Sequence, residues 1–297
     1  MERPADLTRA SATLVGGTAI LMWAGLAALT RFAGDVPPLE LTGLSFLIGG
    51  TLGCAVCLLR KSSPFLPISQ WQAWGVGVGG LFLYHFTYFA AMRLAPAMEV
   101  SLIAYLWPLL IVVLSALLPG ERLKFHHVLG VVLGFAGAAL VISKGNLSSL
   151  AQSLNPGHGL AFICALIWGL YSVLSRRLAR IPTEAVAGYC LVTGVLALIA
   201  HALSEPTVLP QGLGQIAAIG LLGMFPVGLA FFTWDYGVKH GDIIVLGAAS
   251  YLSPMFSAIV LVLSGISAFS FNLAIACLLI MAGAILAAKD MIFKKPI

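Results

Sequence analysis

Charged residues cut this chain into nine long uncharged runs, and those runs limit what it can fold into. Residues 10–30, 41–59, 62–92, 100–120, 125–143, 145–175, 185–204, 206–234 and 243–288 contain no Asp, Glu, Lys or Arg. A helix needs about 20 mostly apolar residues to cross ~30 Å of hydrocarbon. Eight runs, of 19 to 31 residues, each fit one helix with some loop. The ninth, of 46 residues, fits two, with a break at Ser264-Gly265-Ile266-Ser267, because Gly and Ser clusters interrupt helices. The expected fold is an all-α integral membrane protein with ten transmembrane helices. Stretches such as Leu109-Leu110-Ile111-Val112-Val113-Leu114 do not alternate as barrel strands do. The first run exceeds the about 7–15 residues of a signal-peptide core and has no clear small-residue cleavage site, so it counts as span 1.

Composition agrees. Only 9% of residues are charged and 60% are hydrophobic, with a mean hydropathy of +1.02. A soluble protein carries ~25% charged residues. A soluble enzyme, a nucleic-acid-binding domain and a disordered chain are excluded. With a cytoplasmic N-terminus, only Arg31, Arg93 and Lys144 of the 16 Lys and Arg residues fall on the far side. Arg3, Arg9, Arg60, Lys61, Arg122, Lys124, Arg176, Arg177, Arg180, Lys239, Lys289, Lys294 and Lys295 fall on the near side. The positive-inside rule then places both termini in the cytoplasm. It also accounts for the net charge of +5. The five cysteines (Cys54, Cys57, Cys164, Cys190, Cys277) all sit in apolar runs. Cys54 and Cys57 have C-x-x-C spacing without a second pair or a nearby His, so apolar packing is their expected role.

The two halves of the chain match each other. At a shift of 145 residues, Leu21-Met22-Trp23 falls on Leu166-Ile167-Trp168, Arg31 on Arg176, Pro37 on Pro182, Gly43 on Gly188 and Gly49 on Gly194. At a shift of 146, Ala104-Tyr105-Leu106-Trp107-Pro108 falls on Ser250-Tyr251-Leu252-Ser253-Pro254, Arg93 on Lys239, and Ala136-Gly137-Ala138 on Ala282-Gly283-Ala284. The expected units are residues 1–144 (spans 1–5) and 145–297 (spans 6–10). Five is odd, so the second repeat is inverted relative to the first. Inverted repeats with a site near the midplane are a transporter signature; simple duplication in a membrane enzyme or scaffold is the competing reading. The glycine pairs Gly49/Gly53, Gly75/Gly79 and Gly130/Gly134 have the spacing that lets helices approach closely.

Pro108 and Pro254 occupy equivalent positions inside spans 4 and 9. Each removes a helical hydrogen bond and clashes with the carbonyl four residues back, which frees Ala104 and Ser250 to face a cavity or makes a packing kink. Aromatic residues gather near these prolines. Tyr84, His85 and Tyr88 lie in span 3, Tyr105 and Trp107 in span 4, Trp168 and Tyr171 in span 6, and Ser250, Tyr251 and Ser253 in span 9. Trp and Tyr usually anchor spans at the interface, and Trp71 and Trp74 fit that role. Trp23, Trp107 and Trp168 lie away from any loop, so they are candidates to line a cavity. Trp234 of span 8 is equivalent to Tyr88. His85 is the one histidine deep in a span, where a titratable side chain is either functional or satisfied by packing. The candidate substrate-binding set is Tyr84, His85, Tyr88, Tyr105, Trp107, Trp168, Ser250 and Ser253, with Pro108 and Pro254 as helix breaks.

No Asp, Glu, Lys or Arg lies near a span's middle. Asp235 is closest, four residues from Lys239, a spacing that suits a local ion pair. No catalytic, metal-binding or phosphate-cradling motif is present. The expectation is no cofactor, no metal and no enzymatic activity. A neutral or zwitterionic substrate with an aromatic body fits such a cavity. Aromatic faces also attract cations, which leaves a carrier for cationic drugs or other metabolites as the alternative. A membrane enzyme or sensor scaffold is more remote.

Ten spans in two inverted repeats, each with a Trp in its first span and a closing Ala-Gly-Ala, resemble the EamA-type carriers of the drug/metabolite transporter superfamily. Within that family, Tyr84 to Phe89 and Ala104-Tyr105-Leu106-Trp107-Pro108 resemble the bacterial inner-membrane exporters of aromatic amino acids. The resemblance implies efflux of phenylalanine, tyrosine and tryptophan, with other neutral amino acids or paraquat-like compounds as further candidates. It implies a central cavity lined by spans 1, 3, 4, 6, 8 and 9. Expected partners are a small-molecule substrate and the lipid bilayer, with no nucleic acid, and the expected state is a monomer.

Overall fold

A computed structural model describes residues 4–115, 124–146, 148, 150–175, 178, 180–241, 243–287 and 289. Among them the chain is helical, without strands. Span 1 is α1 (Pro4–Ala24) and α2 (Leu26–Phe32), separated at Gly25. Span 2 is α3 (Pro38–Leu59), and span 3 is α4 (Trp71–Leu94). Span 4 is α5 (Ala97–Ala104) and α6 (Trp107–Ser115), and span 5 is α7 (Phe125–Ile142). After the short α8 (Leu150–Ser153), span 6 is α9 (Pro156–Ser175) and span 7 is α10 (Ala185–Ser204). Span 8 is α11 (Leu213–Met224), a π-helical turn at Phe225–Leu229 and α12 (Ala230–His240). Span 9 is α13 (Ile243–Ser250) and α14 (Ser253–Leu263), and α15 (Phe271–Ala287) closes the chain.

Seven stretches are long and apolar enough to cross a membrane, rather than the ten expected from the runs. The other three apolar helices, Ala97–Ile111, Ser253–Leu263 and Phe271–Ala287, are shorter. The first two fall in expected spans 4 and 9, which the fold interrupts. The break in span 4 falls at Tyr105-Leu106 and that in span 9 at Tyr251-Leu252, each just before its proline. At both, the helix tightens to an i−3 bond: Leu106 N–H donates to Ile103 O and Leu252 N–H to Ala249 O, each at 3.0 Å. These bonds are equivalent at a shift of 146. α15 has 17 residues, or about 25 Å at ~1.5 Å per residue.

The dominant helix pairs are α3 with α10, α7 with α15, α4 with α9, and α1 with α12. Exchanging the halves maps the first two pairs onto themselves and turns α4–α9 into α12–α1. The packing therefore carries the same two-fold relation as the sequence. Large apolar side chains such as Leu58, Leu203, Leu263 and Leu278 are well exposed on the outside, as a lipid-facing surface requires. All five cysteines are free, with Cys54 half-buried and the rest buried. Of the residues that orient the chain, Arg3, Arg122, Arg176, Arg177, Lys294 and Lys295 lie outside the described residues, as does the side chain of Lys239. Asp235 accepts a hydrogen bond from the Thr183 hydroxyl.

Two of the three glycine pairs sit at close helix contacts. A Cβ on Gly130 would lie 2.5 Å from the Gly283 carbonyl oxygen, and one on Gly49 would lie 2.9 Å from Gly228 Cα. Gly75 and Gly79 face open space, because a Cβ on either meets nothing within 4 Å. Spacing alone does not show which face of a helix is covered. Gly130→Ala should therefore force α7 from α15 and cost ~1–3 kcal/mol. Gly79→Ala should be neutral or slightly stabilising through helix propensity. Thermal denaturation of the detergent-solubilised protein checks both.

Candidate functional site

α1, α4, α9 and α12 bring a cluster of aromatic rings together where the halves meet. Trp23 and Trp168, equivalent in the two repeats, meet edge to face with centroids 6.3 Å apart and planes at 78°. His85 and Phe231 are equivalent at a shift of 146 and also meet, at 5.9 Å and 78°. Trp168 further packs on Tyr84 at 4.9 Å and on Phe231 at 5.9 Å, and Trp23 packs on Trp234 at 5.3 Å. Tyr84 and Tyr88 stack along α4 at 6.0 Å, as residues four apart on one helix face can.

These rings enclose a small cavity lined by Trp23, Leu26, Tyr84, His85, Tyr88, Ser101, Ala104, Tyr105, Trp107, Trp168 and Phe231. Six of the eight candidate binding residues thus share one site, and its lining includes no Asp, Glu, Lys or Arg. Ser250 and Ser253 are buried outside that lining, and the Ser253 hydroxyl has no hydrogen-bond partner among the described residues. Pro108 and Pro254 each follow the first residue of the helix after its break, in α6 and α14. The carbonyl four residues before each proline belongs to Ala104 or Ser250, the last residue of the preceding helix. The cavity holds about 30 Å³, room for roughly two water molecules. The rings fill the rest, so any amino-acid-sized ligand requires them to separate.

Polar groups fix the rings. The Trp23 indole N–H donates to Pro226 O at 3.2 Å, an acceptor in the π-helical turn of span 8. The Tyr105 hydroxyl donates to Trp23 O at 3.3 Å, which ties the break in span 4 to α1. His85 is 1% exposed, and its Nδ1 lies 2.9 Å from Leu81 O. A carbonyl only accepts, so Nδ1 carries the proton. Ser101 and Ser257 share a hydrogen bond of 2.8 Å, which joins the two interrupted spans directly.

Several members of the site had signals that the candidate set did not use. Phe231 is the repeat equivalent of His85. Ser101 precedes Tyr105 by four residues, hence shares its face. The acidic residues at one end of the bundle are a second omission. His158 Nδ1 accepts from Asn155 N–H at 3.2 Å, so its Nε2–H donates to the buried Glu99 carboxylate at 2.7 Å. Nearby, Arg93 in the last turn of α4 pairs with Asp35 of the turn after α2 at 2.7 Å. Glu205, at the end of α10, accepts the N–H groups of Leu39 and Glu40 at 3.1–3.3 Å, so it caps α3 where the helix dipole favours an anion. His201 donates to the same carboxylate at 3.1 Å. Among the described residues, no group of three or more His, Cys, Asp or Glu is disposed to hold a metal ion.

The chain matches the EamA-like transporter family twice, over residues 11–143 and 155–289. It is 49% identical over 282 residues to the "Aromatic amino acid exporter YddG" of Ancylobacter novellus, a match covering 95% of this chain and 98% of the relative. It is 26% identical to the protein of the same name from Escherichia coli K12, covering 85% and 88%. A crystal structure of a protein 50% identical to this chain superposes with a TM-score of 0.75 over 94% of this chain and 99% of that one.

The buried Glu99–His158 contact gives a prediction at this site. His158→Ala would strand the Glu99 carboxylate without its donor, and losing a hydrogen bond to a buried charge costs ~1.5–3 kcal/mol. Arg93→Ala, which removes an exposed pair, should cost under ~1 kcal/mol. Melting temperatures of the two purified variants should differ in that order.

Proposed function

The chain belongs to the EamA-like transporter family, and we propose that it exports aromatic and other neutral amino acids by alternating access. The observation that carries this reading is the site itself. Aromatic rings from both halves converge on one cavity, and its described lining has no fixed charge. A relative 49% identical over nearly its whole length bears the name of an aromatic amino acid exporter.

An aromatic side chain buries about 150–250 Å² when enclosed by such rings. At ~25 cal/mol/Å² that is roughly 4–6 kcal/mol. Removing the ammonium and carboxylate of the same molecule from water offsets much of it. The net affinity is modest, which suits a carrier that must release its cargo. The hydroxyls of Tyr105 and Ser101 and the Nε2 of His85 are polar partners for a zwitterion's polar end. Ser250 and Ser253 would join them once span 9 moves.

The family match in two successive segments, the two-fold pairing of helices and the paired breaks support ten spans arranged as inverted repeats, residues 1–144 and 145–297. The distribution of Lys and Arg supports cytoplasmic termini, and the bacterial relatives support an inner-membrane location. On this reading the protein is a monomeric carrier, with no enzymatic step and no cofactor. The α1–α12 and α4–α9 pairs carry the rings that must part, so opening separates these two pairs.

Purified protein in liposomes should move labelled phenylalanine and tryptophan above the empty-liposome background. A protein that moves cationic dyes but no amino acid would contradict the substrate assignment. Trp168→Ala removes contacts to Trp23, Tyr84 and Phe231, and should reduce the transport rate at least tenfold while folded protein is still recovered. Trp107→Ala, at the head of α6, should also reduce the rate.

A further inference from the structure

A second, far larger cavity of 1110 Å³ lies beside the ring cluster, among α1, α3, the π-helical turn and α12. Its walls and its mouth differ in chemistry. The deep wall is formed by Leu52 and Val56 of α3 and by Phe225 and Leu229 of the π-helical turn. These side chains are 37–48% exposed, so this interior continues the lipid-facing surface. At Gly49 and Gly53 the α3 backbone comes close to Gly228 of the π-helical turn and to Phe232 of α12, which closes the cavity on that side. The mouth carries Arg60, Glu184 and His240.

Depth and polarity run together. Arg60 and Gly49 are eleven positions apart along one helix, which spans about 16 Å at ~1.5 Å per residue. That is roughly half of a ~30 Å hydrocarbon layer, the depth of one leaflet. At the mouth, neither the Arg60 guanidinium nor the Glu184 carboxylate makes an ion pair or side-chain hydrogen bond among the described residues. His240 packs its ring on Tyr236 at 4.8 Å, and Thr183 donates to Asp235. One unpaired cation and one unpaired anion therefore stand at the polar end of an apolar slot of leaflet depth.

We propose that this cavity is a binding site for a phospholipid of the cytoplasmic leaflet whose headgroup carries both a phosphate and a primary ammonium. Arg60 offers five donors in a planar fork that matches a phosphate. Glu184 can only accept when ionised, which matches an ammonium. An acyl chain lies against Leu52, Val56, Phe225 and Leu229. A bound lipid would wedge between α3 and the α1–α12 pair, on the side of α12 opposite Phe231. The proposal rests on the membrane orientation given above, but not on the identity of the cargo.

Native mass spectrometry of the full chain tests this without any transport measurement. The delipidated protein in detergent is titrated with phosphatidylethanolamine and, separately, with phosphatidylglycerol. Wild type should hold one phosphatidylethanolamine more tightly than phosphatidylglycerol. Arg60→Ala should weaken both about tenfold, the effect of ~1.4 kcal/mol. Glu184→Gln should weaken phosphatidylethanolamine alone. Val56→Trp fills the slot from an exposed position and should weaken both lipids in a protein that melts at the wild-type temperature. Unchanged binding in Arg60→Ala and Val56→Trp would overturn the site. Equal or tighter binding of phosphatidylglycerol would overturn the headgroup assignment. Displacement of the lipid by phenylalanine would give the cavity to the cargo instead. A protein that binds lipid as described but moves no amino acid would leave this site standing and remove only the export reading.

Discussion

Two ring contacts across the seam of the molecule organise much of what surrounds them. Trp23 meets Trp168 and His85 meets Phe231, and each pair consists of residues equivalent in the two halves. A contact between equivalents can form only where the two-fold relation places them face to face. These rings therefore sit where the halves join, and the helices that carry them, α1, α4, α9 and α12, form the walls of the small cavity together with span 4 and Leu26. The rings bring large apolar area to the seam, and their tilted and edge-to-face geometry adds to that burial. The polar handles are satisfied by backbone groups at irregular points: Pro226 O in the π-helical turn accepts from Trp23, and Trp23 O accepts from Tyr105 at the break of span 4.

The same seam must open for a solute to pass. A cavity of about 30 Å³ admits no amino acid, so the conformation described here is one in which the rings have collapsed on each other. The interruptions at Gly25, Tyr105-Leu106, Phe225–Leu229 and Tyr251-Leu252 are where helix segments can tilt without breaking many backbone bonds. Spans 2, 5, 7 and 10 contain no such interruption among the described residues, and they pair through close glycine contacts such as Gly130 against Gly283. The molecule thus combines a rigid set of helices with an interrupted set. Closure at one end of the bundle is reinforced by Glu99 with His158 and by Asp35 with Arg93, the first buried and the second exposed. The buried contact is the stronger of the two, because water does not compete for it.

Much of the site was legible because its residues violate what lipid favours. Trp107 and Trp168 are large amphipathic side chains away from the interface, and Pro108 and Pro254 deny a helix its hydrogen bond at matching places. His85 stood out as a titratable group deep in a span, and the structure puts it on the cavity wall with its ring against Phe46, Tyr84, Phe89 and Phe231. Phe231 was invisible by type, since a phenylalanine in an apolar run looks like any other; only its equivalence to His85 marks it. Glu99 was overlooked because it borders an uncharged run and reads as a loop residue, yet it is buried against His158. Gly75 and Gly79 carried a spacing that promised close packing and face open space, since spacing does not say where a neighbouring helix lies.

The sequence by itself determined the membrane, the repeat and the two matching helix breaks at Pro108 and Pro254, but not those at Gly25 and Phe225–Leu229. These follow from local chemistry: an uncharged run of about 20 residues has few alternatives to a helix in lipid, and a proline acts on its own turn. Only the tertiary structure decided which rings meet, that the central cavity is small, and that a larger slot opens beside α3 with Arg60 and Glu184 at its mouth, unpaired among the described residues. Those properties depend on how helices far apart in the chain are rotated about their axes. In an apolar run nearly every face is hydrophobic, so the sequence carries little information about that rotation.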